Sequence, residues 1–375
     1  MQVGLTVTLE CNLACDYCYV PQCRDSMTTQ TAAKAARLDN VDGRFALWGG
    51  EPFVDPEHVK AIVGAVRGAY QGEGPLRFAL TTNATLLDES IAAWCARELT
   101  SVAVSIDGCE AAHDLHRRSL SGEPSARSAW RGLELLLAAG APVTVIQTLN
   151  PGTVDSLADA VQRLVDAGVR SISHGLNVRV RWSQEALDLL RGQYVLIAER
   201  YGDWLERDGV RFSPFDEAIR TYVNGGYERK NIPCAGHDSV LAMPDGRLMP
   251  CDAFIGADAE VWGVGDVDRG IVKLPAVLGR SGCREGGACV GCDLRARCLR
   301  SCQCRNLLGT GDPSSVPESW CSYARMTTQL ADRVAGVLYA SGSAAFMERF
   351  YSARPGSDGG DGGAATQETR SGAAL

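Results

Sequence analysis

Three cysteines, Cys11, Cys15 and Cys18, stand within eight positions of one another in the run CNLACDYCYV. A tetrahedral metal site takes four ligands, so a loop that offers three leaves one coordination position open. A 4Fe–4S cluster has four irons, and three thiolates would leave one iron free to chelate a small molecule. A zinc loop is the competing reading. It needs a fourth ligand nearby, for which Cys23 is the candidate, and it fits poorly with the glycines and glutamate of WGGEP at 48–52. A second cysteine field lies far down the chain. CVGCDLRARCLRSCQC (289–304) reads C-x2-C-x5-C-x3-C, with Cys234 and Cys251 upstream and Cys321 downstream. Pairs spaced C-x2-C suit zinc, but a set of seven suits two iron–sulfur clusters better.

The rest of the chain says where such chemistry can operate. Fifteen cysteines are too many for ordinary use in a reducing compartment, where disulfides are rare, so they point to metal or catalysis. The opening MQVGLTVTLE lacks the basic region and cleavage site of a signal peptide. No apolar run approaches the roughly 20 residues that span a bilayer. A cytoplasmic protein without a membrane partner is therefore expected. The net charge of −8 disfavours nucleic acid, which needs a basic surface. A chain of 375 residues, 45% hydrophobic and 22% charged, suits one large domain or two ordinary ones.

Elements to position the motifs recur in series. Strands are expected at 3–9, 44–49, 76–82, 101–107, 142–149 and 171–177. Helices are expected at 56–70, 88–99 and 153–168, the first with Asp55 as N-cap before Pro56 and the last ending at Gly168. Serial β–α units imply parallel pairing with right-handed crossovers. The six units seen in the sequence fall short of a complete eight-stranded barrel, leaving a partial barrel or a doubly wound sheet. Either places the chemistry at the C-terminal ends of the strands. The motifs fall there: Cys11 after the first strand, WGGEP at the second, Thr82 and Asn83 at the third, Ser105 and Asp107 at the fourth.

The C-x3-C-x2-C loop in this context resembles the radical S-adenosylmethionine (SAM) superfamily over roughly residues 3 to 180. The resemblance implies an α/β fold, a partial (β/α)6 TIM-like barrel with a C-terminal cysteine-rich auxiliary-cluster domain. It implies that Cys11, Cys15 and Cys18 hold the SAM-binding cluster, with Tyr17 as the usual aromatic before the last cysteine. Gly49, Gly50, Glu51 and Pro52 match the segment that contacts the SAM amino group. Asn83, Ser105 and Asp107 stand where SAM contacts often occur, and Arg117 in HDLHR is a candidate for the SAM carboxylate. The distal cysteines resemble the SPASM extension of peptide-maturing members. That likeness implies a distal cluster on Cys289, Cys292, Cys298 and Cys321 and a proximal one on Cys234, Cys251 and Cys302. The fourth proximal position is left open among Cys283, Cys304, His237 and an unligated iron.

With three 4Fe–4S clusters and SAM as cofactors, the implied reaction is reductive cleavage of SAM to a 5′-deoxyadenosyl radical. That radical takes a hydrogen atom from an unactivated carbon, and the auxiliary clusters provide a route for the leftover electron. The extension is typical of enzymes acting on peptides. The first reading is a maturase that installs a cross-link or related oxidation in a ribosomally made precursor peptide. NLLGTGDP followed by SWCSYAR resembles the end of such maturases. The alternative is an anaerobic sulfatase-maturating, formylglycine-generating enzyme, in which Asp252 after Cys251 would be the base. A radical dehydrogenase of a small molecule and a non-catalytic metal protein are the remaining readings. Implied partners are the precursor peptide or protein and a flavodoxin- or ferredoxin-type reductant. With a strand starting at residue 3 there is no room upstream for a leader-binding domain, so either a separate protein presents a leader or the enzyme grips it directly.

The expected segments are 1–210 for the barrel, 211–232 for a connector, 233–325 for the auxiliary-cluster domain and 326–353 for a C-terminal helix with a break near Gly342. A long helix is expected over 183–209, and residues 354–375 form a Gly-rich polar tail expected to be disordered.

Overall fold

The computed structural model describes residues 2–39, 42–226, 239–273, 289–298 and 302–352. In chain order the first half runs β1 (Gln2–Thr8), α1 (Thr29–Ala36), β2 (Arg44–Gly49), α2 (Pro56–Ala69), β3 (Arg77–Thr82), α3 (Glu89–Glu98), β4 (Ser101–Ser105), α4 (Glu110–His116) and α5 (Ala126–Ala138). It continues with β5 (Val143–Leu149), α6 (Leu157–Asp166), β6 (Ser171–Leu176), α7 (Gln184–Asp208), β7 (Arg211–Phe212) and α8 (Ser213–Val223). The C-terminal portion holds β8 (Ser239–Ala242), β9 (Arg247–Met249), α9 (Ala259–Trp262), β10 (Gly265–Asp266), β11 (Gly270–Ile271), α10 (Gln303–Thr310), α11 (Glu318–Ala340) and α12 (Ala344–Phe350).

The six expected strands are present within two residues of their sequence bounds. They are apolar runs because parallel strands are covered on both faces: Val3, Leu5 and Val7 of β1 are fully buried, as are Val102 and Val104 of β4. Asp55 caps α2 as expected, its carboxylate accepting His58 N–H at 3.0 Å ahead of Pro56. Asp88 does the same for α3 through Ile91 N–H at 2.8 Å. The helix expected from 153 starts later, at Leu157. Residues after Asn150 turn first, with Thr153 N–H donating to Asn150 C=O at 3.1 Å. Among the described residues, no helix is long and apolar enough to cross a membrane.

Two compact units divide the chain. The first comprises Met1–Ile106, His113–Val143 and Pro233–Ser281. Its strands follow the order β11-β10-β9-β8-β1-β2-β3-β4. Strand β1 lies between β2 and β8, parallel to both, and β2, β3 and β4 continue in parallel. The short strands β8 to β11 pair antiparallel. The second unit comprises Asp107–Ala112, Thr144–Ile232 and Gly282–Leu375. It holds the parallel run β5-β6-β7. Helix α11, with Met326, Leu330 and Ala331 buried, belongs to the same unit. The units interleave along the sequence, and the boundaries at 210, 232, 325 and 353 remain a proposal about segment roles. The tail expected to be disordered, 354–375, lies outside the described residues.

Candidate functional site

Cys11 leaves β1 through Leu9 and Glu10, and the chain then runs through Cys15 and Cys18 in a loop braced from two sides. Leu9 N–H donates to Asp25 C=O and Met27 N–H to Val7 C=O, each at 2.8 Å, closing the loop's base. On the other side, Ala14 N–H donates to Arg118 C=O at 2.7 Å and Asp16 N–H to His116 C=O at 3.1 Å. A bridge pairs Leu13 with Ser119, so residues 116–120 form a rail for the cysteines. Cys18 N–H donates to Cys15 C=O at 3.1 Å, a tight turn. Burial pushes the Cys11 thiol up to about 12, with further upward push from Glu51, Cys15 and Cys18. Such a thiol becomes a thiolate only against positive charge, which a bound iron supplies. Among the described residues, no three His, Cys, Asp or Glu side chains converge as ligands of a single ion. An iron–sulfur cluster makes a different demand, one thiolate to each iron, and the loop's three thiols meet it in number and kind. Cys23 is exposed.

The end of β2 is locked onto this loop by backbone. Gly50 N–H donates to Thr8 C=O and Glu51 N–H to Glu10 C=O, each at 2.8 Å. The β1–β2 register slips at Thr8, opposite Gly49. Gly49 has φ +142°, and a Cβ there would collide with Thr8 C=O; one at Gly50 would collide with Glu10 C=O and crowd Cys11. Pro52 is buried and begins a short 3-10 turn after Glu51. Glu51 is 1% exposed. Its carboxylate accepts from Phe53 N–H at 3.1 Å, Thr82 Oγ1 at 2.7 Å and Asn83 N–H at 2.6 Å. Burial raises its pKa to about 7 against those three bonds. It therefore ties the end of β2 to the end of β3.

Asn83 reaches back to the cysteine loop. Its Nδ2 donates to Asn12 Oδ1 at 2.9 Å and lies 3.9 Å from Cys11 Sγ. Asn12 in turn donates to Thr85 Oγ1 at 2.8 Å. Buried Arg117 places its guanidinium 5.3 Å from the ring centre of Tyr17, a cation–π arrangement inside the loop's rail. Ser105 ends β4 in the same unit. Asp107 belongs to the second unit, where it accepts Thr148 N–H at 2.8 Å and steadies β5. Within the first unit, then, the structure gathers Cys11, Cys15, Cys18, Gly49, Gly50, Glu51 and Asn83 at adjoining strand ends.

Asp252 lies in the same unit, beside the loop. Its Oδ2 accepts from Tyr19 Oη at 3.2 Å, and its Oδ1 accepts from Cys251 Sγ at 2.9 Å. Burial raises the Asp252 carboxyl, with the Cys251 and Tyr19 bonds pulling it down. Burial also pushes the Tyr19 phenol well above its usual value, and Asp252 adds to that. Tyr19 directly follows Cys18, a link the sequence reading missed: the partners are 233 positions apart and no local spacing announces them.

The second cysteine field lies in the second unit, apart from Cys234 and Cys251. Cys234, His237 and Cys283 lie outside the described residues. Cys289 and Cys292 form a turn, Cys292 N–H facing Cys289 C=O at 3.4 Å. Cys321 stands in the first turn of α11. Arg325, one turn further on, donates to Cys292 Sγ at 3.1 Å and also hydrogen-bonds Cys321. Arg297, next to Cys298, forms a two-pronged ion pair with Asp332 of α11 at 2.8 and 2.6 Å. The loop carrying Cys289, Cys292 and Cys298 is thus held along the helix carrying Cys321, four thiols equal in number to the irons of one 4Fe–4S cluster. Cys302 precedes α10, and Cys304 is buried on it.

Comparison with known proteins agrees with this geometry. The Radical SAM superfamily model matches residues 5–164. An uncharacterised protein of Methanocaldococcus jannaschii is 32% identical over 176 residues, 46% of this chain and 61% of that protein. The alignment therefore spans less than two thirds of that relative's length. The serine-type anaerobic sulfatase-maturating enzyme of Klebsiella aerogenes is 26% identical over 328 residues, 78% of this chain and 76% of that enzyme. Among solved structures, native anSMEcpe with bound AdoMet and Cp18Cys peptide superposes with a TM-score of 0.74. It shows 17% identity and covers 91% of this chain and 99% of that one. The likeness in structure establishes the fold, an α/β arrangement with the parallel strands of a partial barrel.

Proposed function

We propose that the chain, whose residues 5–164 match the Radical SAM superfamily model, is an enzyme of radical, oxidoreductase-type chemistry that oxidises a side chain of a polypeptide substrate, as formylglycine-generating sulfatase maturases do. The observation that carries this reading is Asp252, hydrogen-bonded by Tyr19 one residue beyond the last cysteine of the loop. The likeness to a serine-type sulfatase-maturating enzyme over 78% of the chain supports it. The sequence alone had favoured a cross-linking maturase. The relatives favour the alternative, because their resemblance extends well past the shared domain into the region of Asp252.

In this reading Cys11, Cys15 and Cys18 hold a 4Fe–4S cluster, and Gly49, Gly50, Glu51, Pro52, Asn83, Ser105 and Arg117 of the same unit form the surroundings of SAM. A second cluster takes Cys289, Cys292, Cys298 and Cys321, and a third has Cys251 among its ligands. Bound there, these groups supply hydrogen-atom abstraction from the substrate carbon and an acceptor for the remaining electron. The chain's own part is the proton. Asp252 accepts it from the substrate hydroxyl or thiol as the carbon is oxidised. A Cys251 thiolate bound to iron no longer donates to Asp252, which leaves Tyr19 to orient the carboxylate. An electron from a flavodoxin- or ferredoxin-type protein starts each cycle, and a leader, if the substrate has one, is either presented by a separate protein or gripped directly.

The test is an anaerobic turnover assay on short peptides with a central serine or cysteine. Oxidation of serine gives an aldehyde directly, and oxidation of cysteine gives a thioaldehyde that water converts to the aldehyde with release of hydrogen sulfide; a hydrazide reagent traps the aldehyde. A product that loses hydrogen yet carries no trappable carbonyl returns the cross-linking reading. Asp252→Asn is expected to lower aldehyde formation about 10²- to 10⁴-fold, the usual worth of a positioned base. Release of 5′-deoxyadenosine by that variant should persist.

A further inference from the structure

Two arginines meet the distal cysteine loop, and they use their donors differently. Arg297 spends its fork on the Asp332 carboxylate, with Nη2 also donating to Ala218 C=O at 3.0 Å and Nε to Thr221 Oγ1 at 3.3 Å. Those are strong oxygen acceptors, and the result is an anchor. Arg325 aims at sulfur. Its Nη2 lies 3.1 Å from Cys292 Sγ, it hydrogen-bonds Cys321, and its Nη1 meets Asp293 at 3.2 Å. A neutral thiol is a weak acceptor, so this arrangement gains little without metal. An iron-bound thiolate is a strong one. Arg325 stands four positions after Cys321, on the same helix face, while Cys292 comes from the separate loop. One cation therefore touches sulfurs from both halves of the donor set. Asp293 orients the fork but is 76% exposed, so solvent screens its opposing charge.

Hydrogen bonds and positive charge at the sulfurs of an iron–sulfur cluster favour its reduced, more negative form. We propose that Arg325 sets the reduction potential of the cluster on Cys289, Cys292, Cys298 and Cys321, raising it so that this cluster accepts the electron left by substrate oxidation. This rests on the cluster assignment made above. Arg325 is a positioning and tuning residue, since it acts on the electron acceptor and touches no reacting carbon.

The test is an anaerobic redox titration, followed by electron paramagnetic resonance, of the full chain carrying Cys11→Ala, Cys15→Ala and Cys18→Ala, whose signals come from the auxiliary clusters alone. Arg325→Gln in that background should move one midpoint potential downward by about tenfold in the equilibrium, near 59 mV for one electron, and leave the other in place. Arg325→Lys, which keeps the charge and loses the fork, should move it less. Iron should stay at about eight per chain, the content of two 4Fe–4S clusters. Unmoved potentials at unchanged iron would overturn the proposal while leaving the clusters standing. Loss of about half the iron in both variants would also overturn it, making Arg325 an assembly residue. A parent chain without iron and sulfide would instead remove the cluster assignment beneath it.

Discussion

At Cys11–Cys18 the backbone does the positioning. Two amides of the β2 end bond to carbonyls on either side of the entry to the loop, and the absent Cβ atoms of Gly49 and Gly50 allow that approach. Around Cys289–Cys321 side-chain charge does the same work: Arg297 ties a loop of short turns to α11 through Asp332. The first construction tolerates no added atom but carries little dependence on charge. The second tolerates changes of shape and depends on the Arg297 guanidinium. Under the proposed assignment, the site for SAM gains from the rigid form, and the site proposed to pass electrons needs only its thiolates gathered.

The comparison breaks most visibly at the glycines. Gly50→Ala should lower 5′-deoxyadenosine formation at least about 100-fold, the scale of an ångström-sized misplacement, while the distal field keeps its iron. Next, Ala at Cys11, Cys15 and Cys18 together should reduce iron from about twelve to about eight per chain, for three clusters becoming two. Loss of all iron would show that the fields do not assemble independently. Arg297→Met should release about four irons and cost roughly 1.5–3 kcal/mol, the range for hydrogen bonds to charged groups, with SAM cleavage retained.

The smallest effect concerns one buried titratable group in each unit. His174, its ring held by Tyr194 and Gln147 at 2.7 and 3.0 Å, has its pKa lowered by burial to about 3. Its folded value lies below the unfolded one, so its stabilisation is complete above about pH 6.5 and declines as pH falls toward 3. Glu51 is raised to about 7, so its contribution is complete below about pH 4.5 and is lost as pH rises through 7. The two oppose each other between pH 4.5 and 6.5. Denaturant melts without SAM should show His174→Gln gaining relative stability on going from pH 7 to 5, and Glu51→Gln losing it. The slope is at most about 1.4 kcal/mol per pH unit.

The parallel strands, the Asp55 cap and the cysteine loop were all legible in the sequence, because each rests on a local pattern. Strands β8 to β11 were not, since their two to four residues are too short to show a period. Nor was the compact grouping of Pro233–Ser281 with the N-terminal strands, which follows from β8 pairing with β1 across the whole chain. Tyr19 lacked any local signal. Arg325 had one, its spacing from Cys321, but a helix arginine reads first as a solvated face.

The central claim is that one iron of the N-terminal cluster is left to SAM. The direct measurement is 5′-deoxyadenosine release by anaerobically reconstituted protein given SAM and a strong reductant. Release that requires all of Cys11, Cys15 and Cys18 is the expected result. No release from protein that holds its full iron and sulfide would contradict the account.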